Sequence, residues 1–377
     1  MNGFALDFYA RLAEDSSPSG PSDNRMISPA GLTFALSMLR GGAAGETAEE
    51  MDRAMKRSGI SGEEWDKGQR LLLDRLRASD PSLKMEIADS VWSREGFKLD
   101  ADYVNLAEKR YDAQVRSLDF ASPDAVATIN RWAADHTAGK IDKVFDDPLP
   151  ESAKLILMNA MYFKGDWSEP FDPNLTVEQD FRAADGAALR VPTMGRSGLY
   201  DYLDADGFAA VRLPYGESGN FGMVLALPDQ DRSLDEFLKT QLPRFGEWNA
   251  ELSERPGWVG LPKFRLKNSL ELTDPLRRQG LSLMFDPARA DLSRVAPEAR
   301  PGELNVGSVK QDTYIDVNEE GTEAAAVTTA VMAGAAPPTD APEPFELKLN
   351  RPFFFAITDR ETGLILFMGE VGNPAEK

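Results

Sequence analysis

An α+β fold is predicted for this chain by the order of its periodicities. Apolar residues recur at helical spacing through most of the first 140 residues, with one alternating stretch among them. Strand-like runs dominate after residue 154. The two kinds do not interleave as repeated strand–helix–strand units would. The chain has 377 residues, 42% of them hydrophobic, enough to bury a sizeable core. No internal repeat is present, and the Pro/Gly-rich stretches at 16–22 and 336–344 are loop-sized. Residues 1–377 therefore read as one domain.

The elements follow in order. GFALDFYARLAED opens the chain as an amphipathic helix with Phe4, Leu6, Phe8, Tyr9 and Leu12 on its apolar positions. Ser28-Pro29 then starts a helix through AGLTFALSMLRGGA, serine capping it and proline fitting its first turn. GETAEEMDRAMKRSG is a further helix, with Thr47 and Glu50 spaced as a capping box. Residues 62–78 are also helical. MEIADSVWS alternates as a strand, and LDADYVNLAEKRYDA and SPDAVATINRWAADHTAGKI read as helices, the second closed by Gly139. KLILMNAMYFKGDW, 154–167, is apolar almost throughout around Asn159, as a strand covered on both faces would be. Strand signals continue in VPTM, FAAVRLPY, GMVLALP, WVGLPKFRL, ELNVGSVKQDTYIDVNEE, FELKLNRPFFFAITD and LILFMGEV. One helix, LELTDPLRRQGL, interrupts them.

Composition narrows the function. A net charge of −20 argues against nucleic acid and anionic membrane surfaces as partners. No apolar run reaches the roughly 18 residues of a membrane span. Cysteine is absent, which removes disulfides, thiolate catalysis and thiolate metal sites. Met1 leads directly into the first helix with no signal-peptide pattern. A chain trimmed of a leader would point to an extracellular or periplasmic setting, an untrimmed one to the cytoplasm.

Enzyme chemistry is poorly served. The one histidine, His136, lies near Gly139 at a predicted helix end, where the dipole favours it. No G-x-S-x-G frames a serine, and H-E-x-x-H is impossible with a single histidine. Ser22-Asp23-Asn24 has no S-x-x-K to accompany it, and GGAAGET at 41–47 lacks a phosphate-binding lysine. No carboxylate pair stands out, and no cofactor or metal site is expected.

The informative stretch is 319–344, EEGTEAAAVTTAVMAGAAPPTDAPEP. Between Glu320 and Ala336 it holds no proline and only two charges, Glu320 and Glu323. Left exposed, such a strand-competent segment is an aggregation hazard. By period two, one face reads Thr322, Ala324, Ala326, Thr328, Ala330, Met332 and Gly334, with no charge and little bulk. That face could enter a packed interior at low steric cost, with Gly321 as a permissive hinge. Composition alone fits a flexible Ala/Thr-rich linker equally well.

Taken together, the segments resemble the serpin family along essentially the whole chain. The motifs that carry the resemblance are ISPAGLTFALSMLRGGAAGETAEEM, LILMNAMYFKGDWSEPF, VPTM, LPKFRL, VNEEGTEAA and NRPFFFAITDRETGLILFMGEVGNP. The resemblance implies a monomer with three β-sheets, eight or nine helices and an exposed reactive-centre loop at about 320–344. It implies suicide inhibition: a protease attacks the loop, an acyl-enzyme forms, and the freed loop enters the central sheet as a strand. Inserting about a dozen residues at roughly 0.5–1.5 kcal/mol per hydrogen bond would release on the order of 10 kcal/mol. The active fold would then be a kinetic trap.

Residue by residue, Glu319 and Glu320 fall in the hinge, Glu319 matching the family's hinge glutamate. Gly321, Thr322, Glu323, Ala324, Ala325 and Ala326 match the inhibitory hinge, while Val327 stands where a smaller residue is usual. Counting from Glu319 places the scissile bond at Ala335-Ala336, with Met332-Ala333 as second choice. Small apolar residues there imply an elastase-like or subtilisin-like serine protease as partner; a cysteine protease is the other class the mechanism admits. Ser28 and Asn159 match a polar cluster beneath the central strands. Gly31 stands where serine is usual there, and Gln311 where histidine is. Trp167 and Lys263 match the top of the sheet, and Lys263 is expected to pair with Glu319. Segment 62–78 mixes Lys67, Arg70, Arg75 and Arg77 with acids, which argues against heparin as a partner. A noninhibitory member serving as a binding protein or chaperone is the alternative.

Overall fold

The computed structural model describes residues 1–14, 24–78, 80, 82–145, 148–149, 153–322 and 343–376. Among them are nine α-helices: α1 (Asn2–Glu14), α2 (Pro29–Gly42), α3 (Gly45–Ala54), α4 (Gly62–Ala78), α5 (Ala101–Tyr111), α6 (Pro123–His136), α7 (Leu234–Thr240), α8 (Phe245–Ala250) and α9 (Thr273–Arg278). The first seven strands are β1 (Arg25–Ile27), β2 (Leu83–Arg94), β3 (Gln114–Leu118), β4 (Leu155–Asp166), β5 (Val177–Arg182), β6 (Ala188–Ala205) and β7 (Phe208–Tyr215). The rest are β8 (Phe221–Pro228), β9 (Ser253–Pro262), β10 (Phe264–Glu271), β11 (Val306–Val317), β12 (Gly321–Thr322), β13 (Phe345–Lys348), β14 (Phe353–Asp359) and β15 (Ile365–Val371).

The strands form two hydrogen-bonded networks. One is six-stranded in the order β10-β11-β12-β4-β2-β3. The other is nine-stranded, β1-β15-β14-β8-β7-β6-β9-β13, with β5 also on β6. The α+β class holds. Three sheets appear as two networks because β6, 18 residues long, pairs with β5 and β9 along most of its length and with β7 at its end. That one strand splices two smaller sheets together.

β4 explains its own sequence. Leu155, Leu157, Met161 and Phe163 join the main core, where α2 packs. Ile156, Met158, Ala160 and Tyr162 join a second cluster with Ile129 and Trp132 of α6. A strand buried on both faces has no reason to alternate. Asn159 lies on the α2 side by the same period, and there it meets Gln311 and Asp89.

Some local expectations change. Thr47 and Glu50 do not form a capping box, because α3 begins at Gly45 with Ala44 as an uncapped N-cap. Both side chains turn to other segments: Thr47 Oγ1 accepts from Asp291 N at 3.0 Å and Glu50 Oε1 from Leu283 N at 2.6 Å. WVGLPKFRL is two strands that break at Lys263, and of LELTDPLRRQGL only Thr273–Arg278 is helical. The short helices α7 and α8, of 7 and 6 residues, are too brief for a 3.6-residue period to register. Ser28 caps α2 as expected, its Oγ accepting from Gly31 N.

Candidate functional site

The central sheet contains a seam between β4 and β11. Over most of their length these strands pair directly and in parallel, with Val306 opposite Leu155 and Gln311 opposite Asn159, on to Tyr314 opposite Tyr162. Above that point they diverge, and Gly321-Thr322 fills the gap as β12. It runs antiparallel to both neighbours, with Thr322 opposite Val317 on one side and Gly165 on the other. The chain after Glu320 therefore starts as a strand already lodged in the mouth of the sheet.

Close fit and polar contacts hold the stub. Any side chain on Gly321 would place its Cβ 2.2 Å from the Gly165 carbonyl oxygen and 2.6 Å from Asp166 Cα, so only glycine fits against β4. Thr322 is fully buried, and its Oγ1 lies 2.7 Å from the Tyr215 hydroxyl. Tyr215 stacks on Trp167 with centroids 4.3 Å apart. Trp167 N donates to Glu320 O at 2.8 Å, and its indole Nε1 to Asn318 O at 2.9 Å.

Glu319 anchors the approach. Its carboxylate accepts from Lys263 Nζ at 2.7 Å and from Thr176 Oγ1 at 2.8 Å, while its carbonyl accepts from Phe171 N at 2.8 Å. Burial by itself would raise the carboxyl, but hydrogen bonds from Lys263 and Thr176 outweigh it and hold the pKa below the ordinary value.

Lower down, a row of polar side chains crosses the seam on the α2 side. Gln311 accepts from Ser28 N through Oε1 at 2.8 Å, and its Nε2 donates to Ser28 O and Asn159 Oδ1, both at 2.8 Å. Asn159 Nδ2 in turn donates to Asp89 Oδ1 at 2.9 Å. Ser28 Oγ donates to Leu366 O at 2.6 Å. Gly31 makes this packing possible, since a Cβ there would sit 2.3 Å from Asn159 Oδ1. Burial raises the Asp89 carboxyl to about 7, against a smaller opposing effect of the Asn159 bond, and its Oδ2 has no hydrogen-bond partner among the described residues. On the opposite face Asp312, across the ladder from Ser269, is raised by burial to about 6.

Thus Ser28, Asn159 and Gln311 meet in one cluster, and Trp167, Lys263, Glu319, Glu320, Gly321 and Thr322 in another. Glu323, Ala324, Ala325, Ala326, Met332, Ala333, Ala335 and Ala336 lie outside the described residues. Sequence reasoning missed Asp89, Thr176 and Tyr215. Asp89 alone left a signal, as the acid inside the alternating MEIADSVWS.

The described strands thus give a closed parallel seam with a strand stub lodged at its open end. The chain belongs to the serpin family: the family model described as serpin (serine protease inhibitor) matches residues 1–374. Iripin-5 of Ixodes ricinus is 33% identical over 99% of this chain and 93% of its own length. The crystal structure of native tengpin, a thermophilic serpin, superposes with a TM-score of 0.88 at 28% identity, covering 99% of this chain and 94% of that one. Human thyroxine-binding globulin complexed with its ligand gives a TM-score of 0.85 at 26% identity, covering 99% and 97%.

Proposed function

We propose that the protein is an inhibitory serpin that traps a serine protease by cleavage of its loop, acyl-enzyme formation and insertion of the loop between β4 and β11. One observation carries this reading. β12 is antiparallel to both seam strands, and the residues that follow it in sequence are small. Full insertion would exchange one parallel interface, less stable per residue, for two antiparallel ones. The cleaved bond is Ala335-Ala336, with Met332-Ala333 second, and the target has a small apolar specificity pocket. Lys67 pairs with Glu63, Arg70 with Asp74 and Asp112, Arg75 with Glu361, and Arg77 with Asp112, which supports a mode of action without heparin.

The test is incubation with elastase-like and subtilisin-like proteases, read by SDS gel and by mass spectrometry of the released fragment. A complex that survives SDS, with a fragment starting at Ala336, is the expected result. A fragment starting elsewhere sinks the scissile assignment. Clean cleavage without complex favours the second reading, a noninhibitory binding role, for which thyroxine-binding globulin, solved with thyroxine, is a precedent of similar fold.

A further inference from the structure

A cavity of about 330 Å³ lies where the C-terminal end of α2, the start of α4 and the end of α5 converge. Four arginines line it: Arg40 from α2, Arg57 from the turn after α3, Arg110 from α5, and Arg294. In a chain of net charge −20, four cations gathered from separate segments around one void are a costly arrangement unless something anionic compensates them.

The resident carboxylates do so only in part. Asp52 takes Arg40 in a bidentate pair at 2.9 and 2.7 Å. The same Asp52 Oδ1 lies 2.8 Å from Arg57 Nε, without the alignment of a hydrogen bond. The Arg57 side chain is only 2% exposed; beside the shared Asp52 oxygen it has the Trp65 ring, 5.0 Å away, and the attraction of Asp66. Burial lowers the Arg57 pKa, the direction expected of a guanidinium short of counter-charge. Glu63 is engaged by Lys67 at 2.7 Å, and Asp66 accepts the Tyr111 hydroxyl at 2.6 Å. No hydrogen bond joins the Arg110 or Arg294 guanidinium to a carboxylate among the described residues, although the charge of Arg110 acts on both Glu63 and Asp66.

We propose that this cavity binds a small phosphate monoester carrying hydroxyl groups, of the sugar-phosphate class. Guanidinium forks match phosphate oxygens in geometry and charge. Asp66 and Glu63, which would repel a polyanion, can accept from ligand hydroxyls. Leu106 supplies an apolar wall, and Gly62, the first residue of the 17-residue α4, leaves the entrance without a side chain. The volume falls within the usual range for small-ligand pockets, roughly 300–1,000 Å³, and exceeds what a bare oxyanion needs.

Isothermal titration calorimetry at fixed ionic strength tests this on the full chain, with glucose 6-phosphate, inorganic phosphate and glucose as probes. One-site binding of glucose 6-phosphate is expected, at least about tenfold tighter than inorganic phosphate and with no heat from glucose. The double variant Arg110→Gln/Arg294→Gln should weaken it about tenfold or more, since it removes two charge-assisted contacts. Both side chains reach the cavity rim without a structural hydrogen bond, so the variant should keep the wild-type circular dichroism. Arg190→Gln, at an exposed pair with Asp180, serves as the control and should bind as wild type does. Absence of saturable binding by either phosphate probe overturns the proposal, as does equal affinity in wild type and the double variant. Inorganic phosphate binding as tightly as the sugar ester overturns the assignment of a hydroxylated ligand.

Discussion

Lys263 Nζ lies 2.7 Å from Glu319 Oε2, tying the residue between β9 and β10 to the last turn of chain before the strand stub. Glu319 is largely buried, whereas the Lys263 side chain is 37% exposed. The two members are therefore unequal: removing the lysine leaves a buried carboxylate with only Thr176 as side-chain donor among the described residues. If the chain inserts as proposed, this pair restrains it at its point of entry to the sheet.

Lys263→Ala should release that restraint. A half-exposed ion pair is worth about 0.5–1 kcal/mol, and the carboxylate left behind adds to the effect, so spontaneous loop insertion or polymerisation should quicken roughly 3- to 10-fold. Native gels over a time course at fixed temperature measure it. An unchanged rate would mean the pair is irrelevant to control. The pH dependence has a defined sign. Because the Glu319 pKa is depressed in the fold, its stabilisation is present above the ordinary carboxyl range and is lost as pH falls through the depressed value.

Gly321→Ala addresses the stub itself. The added Cβ would meet the β4 backbone at 2.2 Å, and backbone cannot swing aside as a flexible side chain can. Thr322 should then leave its place against Tyr215 and insertion should start late, so that the acyl-enzyme hydrolyses before it is trapped. The expected outcome is more cleaved protein and less SDS-resistant complex per protease added. If the partition is the same as in wild type, the lodged stub does not time insertion.

Legibility in the sequence followed the reach of local patterning. β4 could be read because burial on both faces removes its alternation, and α2 because Ser28 and Pro29 mark its start. The expected Thr47–Glu50 box failed because both side chains are drawn to Asp291 and Leu283, more than 230 residues away. Thr176 and Tyr215 stayed hidden for the same reason: each joins the hinge by contacts between distant segments, and no local period encodes them. Gln311 at a position where the family commonly has histidine was visible, but its three bonds to Ser28 and Asn159 were not.

Those three bonds make Gln311 the clasp of the seam. Gln311→Ala would strand Ser28 N and Asn159 Oδ1 in the interior, each costing about 1–3 kcal/mol if left unsatisfied, while Ser28 O keeps its bond from Leu32 N. A loss of at least about 2 kcal/mol in urea unfolding of the native state is expected, with faster seam opening. Gly31→Ser tests the neighbouring position from the other side. Although serine is usual there in the family, its Cβ would press on Asn159 Oδ1 at 2.3 Å, so it should destabilise by about 1–3 kcal/mol. A stabilised Gly31→Ser protein would show that Asn159 can swing aside.

Asp89 places a titrating group at the end of the same row. Its carboxyl is raised from an ordinary 3.8 to about 7 in the fold, chiefly by burial, with the Asn159 bond and the positive charge of Arg77 opposing. A carboxyl raised in this way stabilises the fold fully below its unfolded pKa, and the contribution is lost as pH rises through about 7. Asp312, raised to about 6, acts in the same direction but is spent sooner. From about pH 4 to about pH 7 the native state should therefore weaken, and Asp89 should account for a few kcal/mol of the change at most. Asp89→Asn keeps an oxygen for Asn159 Nδ2 and removes the charge. Denaturant midpoints of the two proteins across about pH 3.5–8 isolate its contribution: the curves should converge near pH 3.5, below the unfolded carboxyl value, and separate as pH rises, with the variant more stable by about 1–3 kcal/mol at pH 8. Parallel curves would mean that Asp89 does not titrate in this window and that the row across the seam is indifferent to pH.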